Sequence, residues 1–295
     1  MQQAIVECKN LTHYYGKRCI YENLNFEIPQ GRILGLLGKN GTGKTTTINI
    51  LNGYLKPRSG ECLMFGESSA NLSSETKRKV GLLIEGHVQY SFMNISEIEK
   101  FYSAFYPKWR KDAYYELMKL LKIDPKQKIS RMSCGQRSQV ALGLILAQDP
   151  ELLILDDFSM GLDPGYRMLF VDYLSEYAKA ENKTVFVTSH IIQDMERLID
   201  DCLIMDYGRI VMQKPVNELL ESFKRFKFNC QNPEAINEIS DIYNPVTIKG
   251  NTEVYSLLAK EDLESLMRKN NVMTNEIQEE SLSLEEAFIG LTGKY

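Results

Sequence analysis

Apolar and polar positions along this chain alternate in two rhythms. Leu24, Asn25, Phe26, Glu27 and Ile28 alternate strictly, which predicts a strand with one buried face, and Pro29, Gln30 and Gly31 turn the chain directly afterwards. Residues 5–11 alternate more loosely and also read as a strand. Short apolar runs at residues 33–37, 79–84, 151–155 and 184–188 predict buried strands. Between them the spacing becomes helical, at residues 46–51, 95–121, 137–147, 166–180 and 191–199. Residues 61–65 form a short strand after a turn at 56–60, and residues 202–205 and 209–212 form a hairpin around Asp206, Tyr207 and Gly208. Strands that alternate with helices in this way predict an α/β core with a largely parallel sheet.

The pattern changes near residue 216, so the chain divides into a first domain at 1–215, with a helical subdomain at about 86–147, and a second at 216–295. Strands are expected at 226–230, 246–249, 253–258 and 272–277, with helices at 233–239 and 261–269. That βαββαβ order resembles a ferredoxin-like unit. A last helix starts near Ser283, where Ser283 and Glu286 have capping-box spacing. No group of histidines, cysteines and carboxylates in this tail has catalytic or metal spacing. The tail is expected to fold separately and to regulate or dimerise, and a fragment ending near Met212 to bind ligand without it. The segment 95–121 is strongly aromatic, with Phe101, Tyr102, Phe105, Tyr106, Trp109, Tyr114 and Tyr115. Such residues build a compact subdomain core and also anchor partners.

Composition narrows the class. The 295 residues are 43% hydrophobic, enough for a sizeable core, and the net charge of −4 gives no field that would recruit nucleic acid. Cys8, Cys19, Cys62, Cys134, Cys202 and Cys230 are scattered, with no C-x-x-C pair, which argues for reduced cytosolic thiols. No apolar run approaches the ~20 residues that span a bilayer, and residues 1–4 carry no signal peptide. A soluble protein is expected, with any membrane association made through a partner.

The chemistry lies in the turn after residues 33–37. Gly38, Lys39, Asn40, Gly41, Thr42, Gly43, Lys44 and Thr45 fit the phosphate-binding pattern G-x-x-x-x-G-K-[ST], between a strand and a helix. Glycines let successive N–H groups point inward at phosphate oxygens, and the helix N-terminus adds partial positive charge. Lys44 is expected on the β- and γ-phosphates, Thr45 on Mg²⁺, and Thr46 in the same binding set. The run at 152–155 ends in Asp156 and Asp157. A carboxylate at the C-terminal end of such a strand reaches the ligand edge of an open α/β sheet. Asp156 is expected to hold Mg²⁺, through water.

Met132, Ser133, Cys134, Gly135 and Gln136, ahead of a helix and shortly before the aspartates, resemble the L-S-G-G-Q signature of ABC-type ATPases. Ser159, Met160, Gly161, Leu162 and Asp163 resemble that family's D-loop, and Thr188, Ser189 and His190 its switch histidine. Tyr15, before Gly16, resembles the aromatic residue that stacks on adenine, with Tyr14 as the alternative. The resemblance covers residues 5–212, and the tail is similar to a C-terminal extension of bacterial exporter subunits.

It implies a P-loop ATPase of ABC type, with a mostly parallel sheet core, an antiparallel β subdomain, a helical subdomain and a small α+β C-terminal domain. It implies ATP and Mg²⁺ as cofactors. Ser133, Gly135 and Gln136 would serve the γ-phosphate of a second, head-to-tail subunit, identical or not. An integral membrane permease would convert closure of the pair into transport, with export the expected direction. Lys44, Asp157 and His190 would carry catalysis, on the cytoplasmic face of the membrane. Asp157 stands where the family has glutamate, Cys134 where it has glycine, and Glu85, a further expected Mg²⁺ contact, where it has the glutamine of the Q-loop. These departures imply altered turnover, not lost nucleotide binding. Two other readings are a non-transport ABC protein acting on ribosomes or DNA, and a regulatory ATP-binding subunit with little hydrolysis. Neither the tandem ATPase units, the coiled coils nor the basic block of the former is present.

Overall fold

The computed structural model describes residues 3–84, 90–120, 122, 124–159 and 161–293. The chain opens with a long hairpin of β1 (Ala4–Tyr15) and β2 (Arg18–Pro29). Next come β3 (Ile33–Gly38), α1 (Lys44–Leu51), β4 (Ser59–Met64) and β5 (Glu67–Ser68). The short α2 (Ser74–Arg78) leads into β6 (Val80–Leu83). A helical layer of α3 (Ile95–Ser103), α4 (Lys111–Leu120) and α5 (Cys134–Ala147) follows. Then β7 (Leu152–Leu155), α6 (Pro164–Ala180), β8 (Thr184–Val187), α7 (Ile192–Leu198), β9 (Asp201–Asp206) and β10 (Arg209–Pro215) complete the first part of the chain.

Six strands form the central sheet in the order β10-β9-β3-β8-β7-β6. Every pairing from β9 to β6 is parallel, and only β10 runs against its neighbour. The apolar runs explain this. Each position of β7 and β8 is buried, so both faces must be covered, as helix crossovers between parallel strands require. The half-polar strands form the other sheet, β2-β1-β4-β5, which is antiparallel throughout. One hydrophobic cluster joins that sheet to α1 and one face of the central sheet; a larger one joins the opposite face to α5, α6 and α7. The strand order places the C-terminal ends of β3, β8 and β7 side by side, where α/β sheets bind ligands.

After α8 (Val216–Ser222), the tail forms a third sheet from β11 (Lys224–Asn229), β12 (Tyr243–Ile248), β13 (Asn251–Ser256) and β14 (Gln278–Glu280). Its order is β12-β13-β11-β14, antiparallel at each pairing. Phe226, Val254, Leu263 and Met267 build its own core under α9 (Lys260–Lys269). The last helix, α10 (Leu284–Thr292), behaves differently. Its Leu284, Ala287, Phe288 and Leu291 lie in the same cluster as Met195 and Leu198 of α7, so an unbroken hydrophobic cluster crosses residue 215.

Several local expectations need correction. The helix expected over 95–121 is two helices, because Pro107 between α3 and α4 lacks an N–H and its ring excludes a helical predecessor turn. The signature helix begins at Cys134, not 137, because Ser133 caps it. The segment expected as a helix at 233–239 is the 3₁₀ turn Pro233–Glu238. The strand expected at 272–277 forms instead at β14, where Lys227 and Arg225 of β11 pair with Glu280. Of the described residues, no helix is long and apolar enough to cross a membrane.

Candidate functional site

The phosphate loop leaves β3 at Gly38 and enters α1 at Lys44. Gly43, the N-cap, has φ +105°, a left-handed backbone that a side chain would strain; a Cβ there would also lie 2.7 Å from Ile20 and 2.9 Å from Tyr21. The loop is braced from within. Thr42 Oγ1 donates to Lys39 O at 2.8 Å, and Thr47 Oγ1 to Gly43 O at 2.9 Å. Lys44 is 8% exposed, and its Nζ donates to Gly38 O at 2.6 Å and Lys39 O at 3.2 Å. Burial pushes the pKa of this ammonium down from its usual value, while Asp156 and Asp157 pull it up more weakly.

The loop borders a cavity of about 310 Å³. Tyr15, Asn40, Gly41, Gly43, Lys44, Thr45, Thr46, Asp156, Asp157 and His190 line it, so most of the expected site residues meet in one place. Tyr15, 49% exposed at the end of β1, stands at its mouth with its hydroxyl 3.4 Å from Thr46 Oγ1. Tyr14 instead bonds Glu22 on the neighbouring strand and does not line the cavity. Gly38, Lys39 and Thr42 do not line the cavity; they brace the loop from behind. Lys39 Nζ donates to Thr292 O at 2.8 Å, so the last turn of α10 meets the loop.

The two aspartates are buried, at 4% and 7% exposure. Thr188 Oγ1 donates to Asp156 Oδ1 at 2.7 Å and accepts from Asp157 N at 2.8 Å. His190 N donates to Asp157 Oδ1 at 3.3 Å. His190 Nε2 lies 3.3 Å from Asp157 Oδ2, an ion-pair distance without hydrogen-bond alignment. Asp157 Oδ2 therefore has no hydrogen-bond partner among the described residues. Next to this pair, Ser159 Oγ and Ser189 Oγ are 2.7 Å apart, tying the D-loop to the switch segment.

Sequence reasoning missed Arg18, Ile20, Thr188 and Ser189, which also line the cavity. Thr188 and Ser189 were legible as neighbours of His190, but the bonds of Thr188 to the aspartates and of Ser189 to Ser159 depend on the alignment of β7 with β8. Arg18 gave no signal; only the hairpin brings its guanidinium over Gly41. Ser133, Gly135 and Gln136 are not part of the cavity. Ser133 Oγ accepts from Gln136 N at 3.1 Å and Gln136 Oε1 from Ser133 N at 3.0 Å, closing a capping box at the start of α5. Glu85 and Met160 lie outside the described residues.

Residues that could hold Mg²⁺ are present. No group of three or more His, Cys, Asp or Glu suited to a metal occurs among the described residues. Mg²⁺ beside nucleotide does not require one, because it takes one or two protein oxygens and fills the rest with phosphate and water. The exposed Thr45 hydroxyl and the buried Asp156 carboxylate fit that donor set.

A phosphate loop after one parallel strand, and an aspartate pair after another two places away, define a P-loop nucleotide-binding protein. Residues 21–159 match the family model described as ABC transporter. Over 299 residues the chain is 30% identical to the bacitracin transport ATP-binding protein BcrA of Bacillus licheniformis, with 98% of each chain covered. It is 26% identical to the Nod factor export ATP-binding protein I of Burkholderia orbicola, over 100% of this chain and 99% of that one. A solved ATP-binding subunit of an ABC transporter matches with a TM-score of 0.65 at 24% identity, covering 74% of this chain and 92% of that one. A dimeric ATP-binding cassette bound to ADP and Pi matches at 0.62 and 21% identity, covering 71% and 98%. The chain belongs to the family of ATP-binding subunits of ABC transporters, which are ATPases.

Proposed function

We propose that this chain hydrolyses ATP to power an exporter, as one of two head-to-tail nucleotide-binding subunits beneath a membrane permease on the cytoplasmic face. The names of the bacitracin and Nod factor relatives support transport and export. The observation that carries the reading is the composition of the cavity. It gathers Tyr15, the phosphate loop, Asp156, Asp157 and His190, but none of Ser133, Gly135 or Gln136. Each subunit then offers two half-sites, and a second subunit, identical or not, completes each.

In this reading Tyr15 stacks on adenine and the loop N–H groups hold the phosphates. Lys44 exchanges its two loop carbonyls for phosphate oxygens. Thr45 and Asp156, with Glu85 as a further contact, hold Mg²⁺, which neutralises phosphate charge. Asp157 accepts the proton of the attacking water, and His190, 3.3 Å from its Oδ2, contacts the γ-phosphate beside it. An aspartate is one methylene shorter than a glutamate, and misplacement of about 1 Å can cost ~100-fold in rate. Hydrolysis is therefore slow and the ATP-bound pair long-lived.

The permease docks in a groove of about 620 Å³ between α1, β6 and the helical layer, lined by Tyr54, Leu82, Ile84, Tyr102, Tyr106 and Leu144. Tyr54 and Ile84 are 68% and 41% exposed there, as anchors for a partner would be. Residues 1–215 form the ATPase domain and 216–295 a regulatory or dimerisation domain.

Ser133→Arg tests the trans site. The variant should bind ATP as a monomer within about threefold of native, by calorimetry, because Ser133 is outside the subunit's own cavity. ATP-dependent dimers, seen by light scattering, should disappear. Normal dimers in this variant would overturn the proposal.

A further inference from the structure

We propose that Thr188 is a positioning residue for hydrolysis, whose hydroxyl sets the geometry of both aspartates at the end of β7. This rests on the reading of Asp157 as the proton acceptor. Thr188 is 1% exposed and follows the last residue of β8. Its N–H donates to Leu155 O at 2.9 Å, continuing the parallel ladder one step beyond the strand. That step brings its side chain level with the aspartates of the neighbouring strand.

The direction of each bond follows from chemistry alone. A hydroxyl has one proton and two lone pairs. The backbone N–H of Asp157 can only donate, so it occupies a lone pair at 2.8 Å. The hydroxyl proton is then committed to Asp156 Oδ1 at 2.7 Å. One buried oxygen thus fixes the carboxylate of Asp156 and the backbone of Asp157 together.

The backbone of Asp157 is the part that needs fixing. Its φ is +47°, a left-handed conformation that L residues adopt at a cost and that aspartate tolerates better than most. Phe158 follows, so no proline ring restricts this choice. A left-handed residue aims its side chain differently from an extended one. With the Thr188 bond in place, Asp157 Oδ1 receives His190 N and Oδ2 is left without a hydrogen-bond partner among the described residues. Without it, a buried N–H would lose its acceptor and the conformation would lose the bond that holds it.

Thr188→Val, close to threonine in shape, removes the hydroxyl; Thr188→Ser keeps it and removes a methyl. The expected result is a 10- to 100-fold lower kcat for Val, from a displacement of up to about 1 Å. ATP affinity measured by calorimetry in EDTA should stay within about threefold. Ser should recover kcat to within about threefold of native. In an Asp157→Asn background, Val should cost less than it does in the native protein, because part of its effect passes through Asp157 and the rest through Asp156. Native kcat in a folded Val variant would overturn the inference. So would Ser as slow as Val, which would make the effect one of packing, or a Val variant that loses ATP affinity in EDTA as much as turnover. If Asp157→Asn alone turns over at the native rate, it is the reading of Asp157 that fails, whatever Thr188 does.

Discussion

The nucleotide cavity holds about 310 Å³ and the cavity on the tail sheet about 460 Å³, yet their charged groups are held differently. In the nucleotide cavity Lys44, Thr46, Asp156, Asp157, Thr188 and Ser189 are all buried. In the tail cavity Asn229, Val246, Ile248, Asn251, Asn275, Glu276 and Gln278 are exposed, and Lys227 is paired with Glu280. The smaller cavity keeps a buried carboxylate oxygen without a hydrogen bond among the described residues, on the left-handed Asp157. A native fold tolerates such cost where chemistry needs it. The larger cavity is lined mainly by side chains already exposed to water on a sheet. Volume does not separate the two; the burial of charged side chains does, since Lys44, Asp156 and Asp157 are buried and Lys227, Glu253 and Glu276 are not.

The largest expected effect separates the cavities by chemistry. Asp157→Asn should lower kcat by about 100-fold or more, and Asp157→Glu should be faster than native, toward the ~100-fold that ~1 Å of reach is worth. Asn251→Ala or Glu276→Ala in the tail cavity should leave kcat within about twofold. Phosphate-release assays decide. A Glu variant no faster than native means that the site has adapted to its shorter acid, and an Asn variant at the native rate removes Asp157 as the base.

A second test concerns the joint between the two regions. Phe226→Ala opens a void in the tail's own core and should cost ~3–5 kcal/mol of local stability, with ATP affinity within twofold of native. Leu284→Ala, at ~2–5 kcal/mol, disturbs the cluster shared with α7. It should lower the melting temperature of the ATPase domain and weaken ATP binding through the Lys39–Thr292 contact. Calorimetric melting with and without ATP reads both. If Phe226→Ala weakens ATP binding as much as Leu284→Ala, the tail sheet is not separable from the ATPase.

The smallest effect is a pH dependence. Burial holds the pKa of Lys44 below its ordinary value of 10.5, and bound phosphates would raise it again. ATP binding then takes up a proton. Affinity should be highest below the lowered pKa and should fall as pH rises through the window above it. Stability without nucleotide has the opposite sign, since the unfolded lysine binds the proton more tightly: it should rise with pH through the same window. No such proton uptake should accompany any ligand of the tail cavity, where no lysine is buried. Calorimetry in buffers of different ionisation enthalpy measures the uptake directly.

The sequence by itself determined the motifs and the layer class. The phosphate loop was legible because its glycines and Lys44 occupy fixed offsets within one turn, and local backbone geometry follows local sequence. The parallel sheet was legible because β3, β7 and β8 are short apolar runs between helical segments. Pro107 was visible as well, and read correctly it would have split the helix over 95–121. Tertiary structure alone decided what stands beside what. That Thr188 joins two aspartates more than 30 residues away depends on β7 and β8 lying in register, which no local signal encodes. That Arg18 crosses Gly41, and that α10 meets the phosphate loop, depends on a hairpin and a tail folding back. The capping box of Ser133 looks identical in sequence whether or not the serine also serves a nucleotide. Its exclusion from the cavity is a matter of distance through space, and distance through space is set by packing of distant elements, not by spacing along the chain.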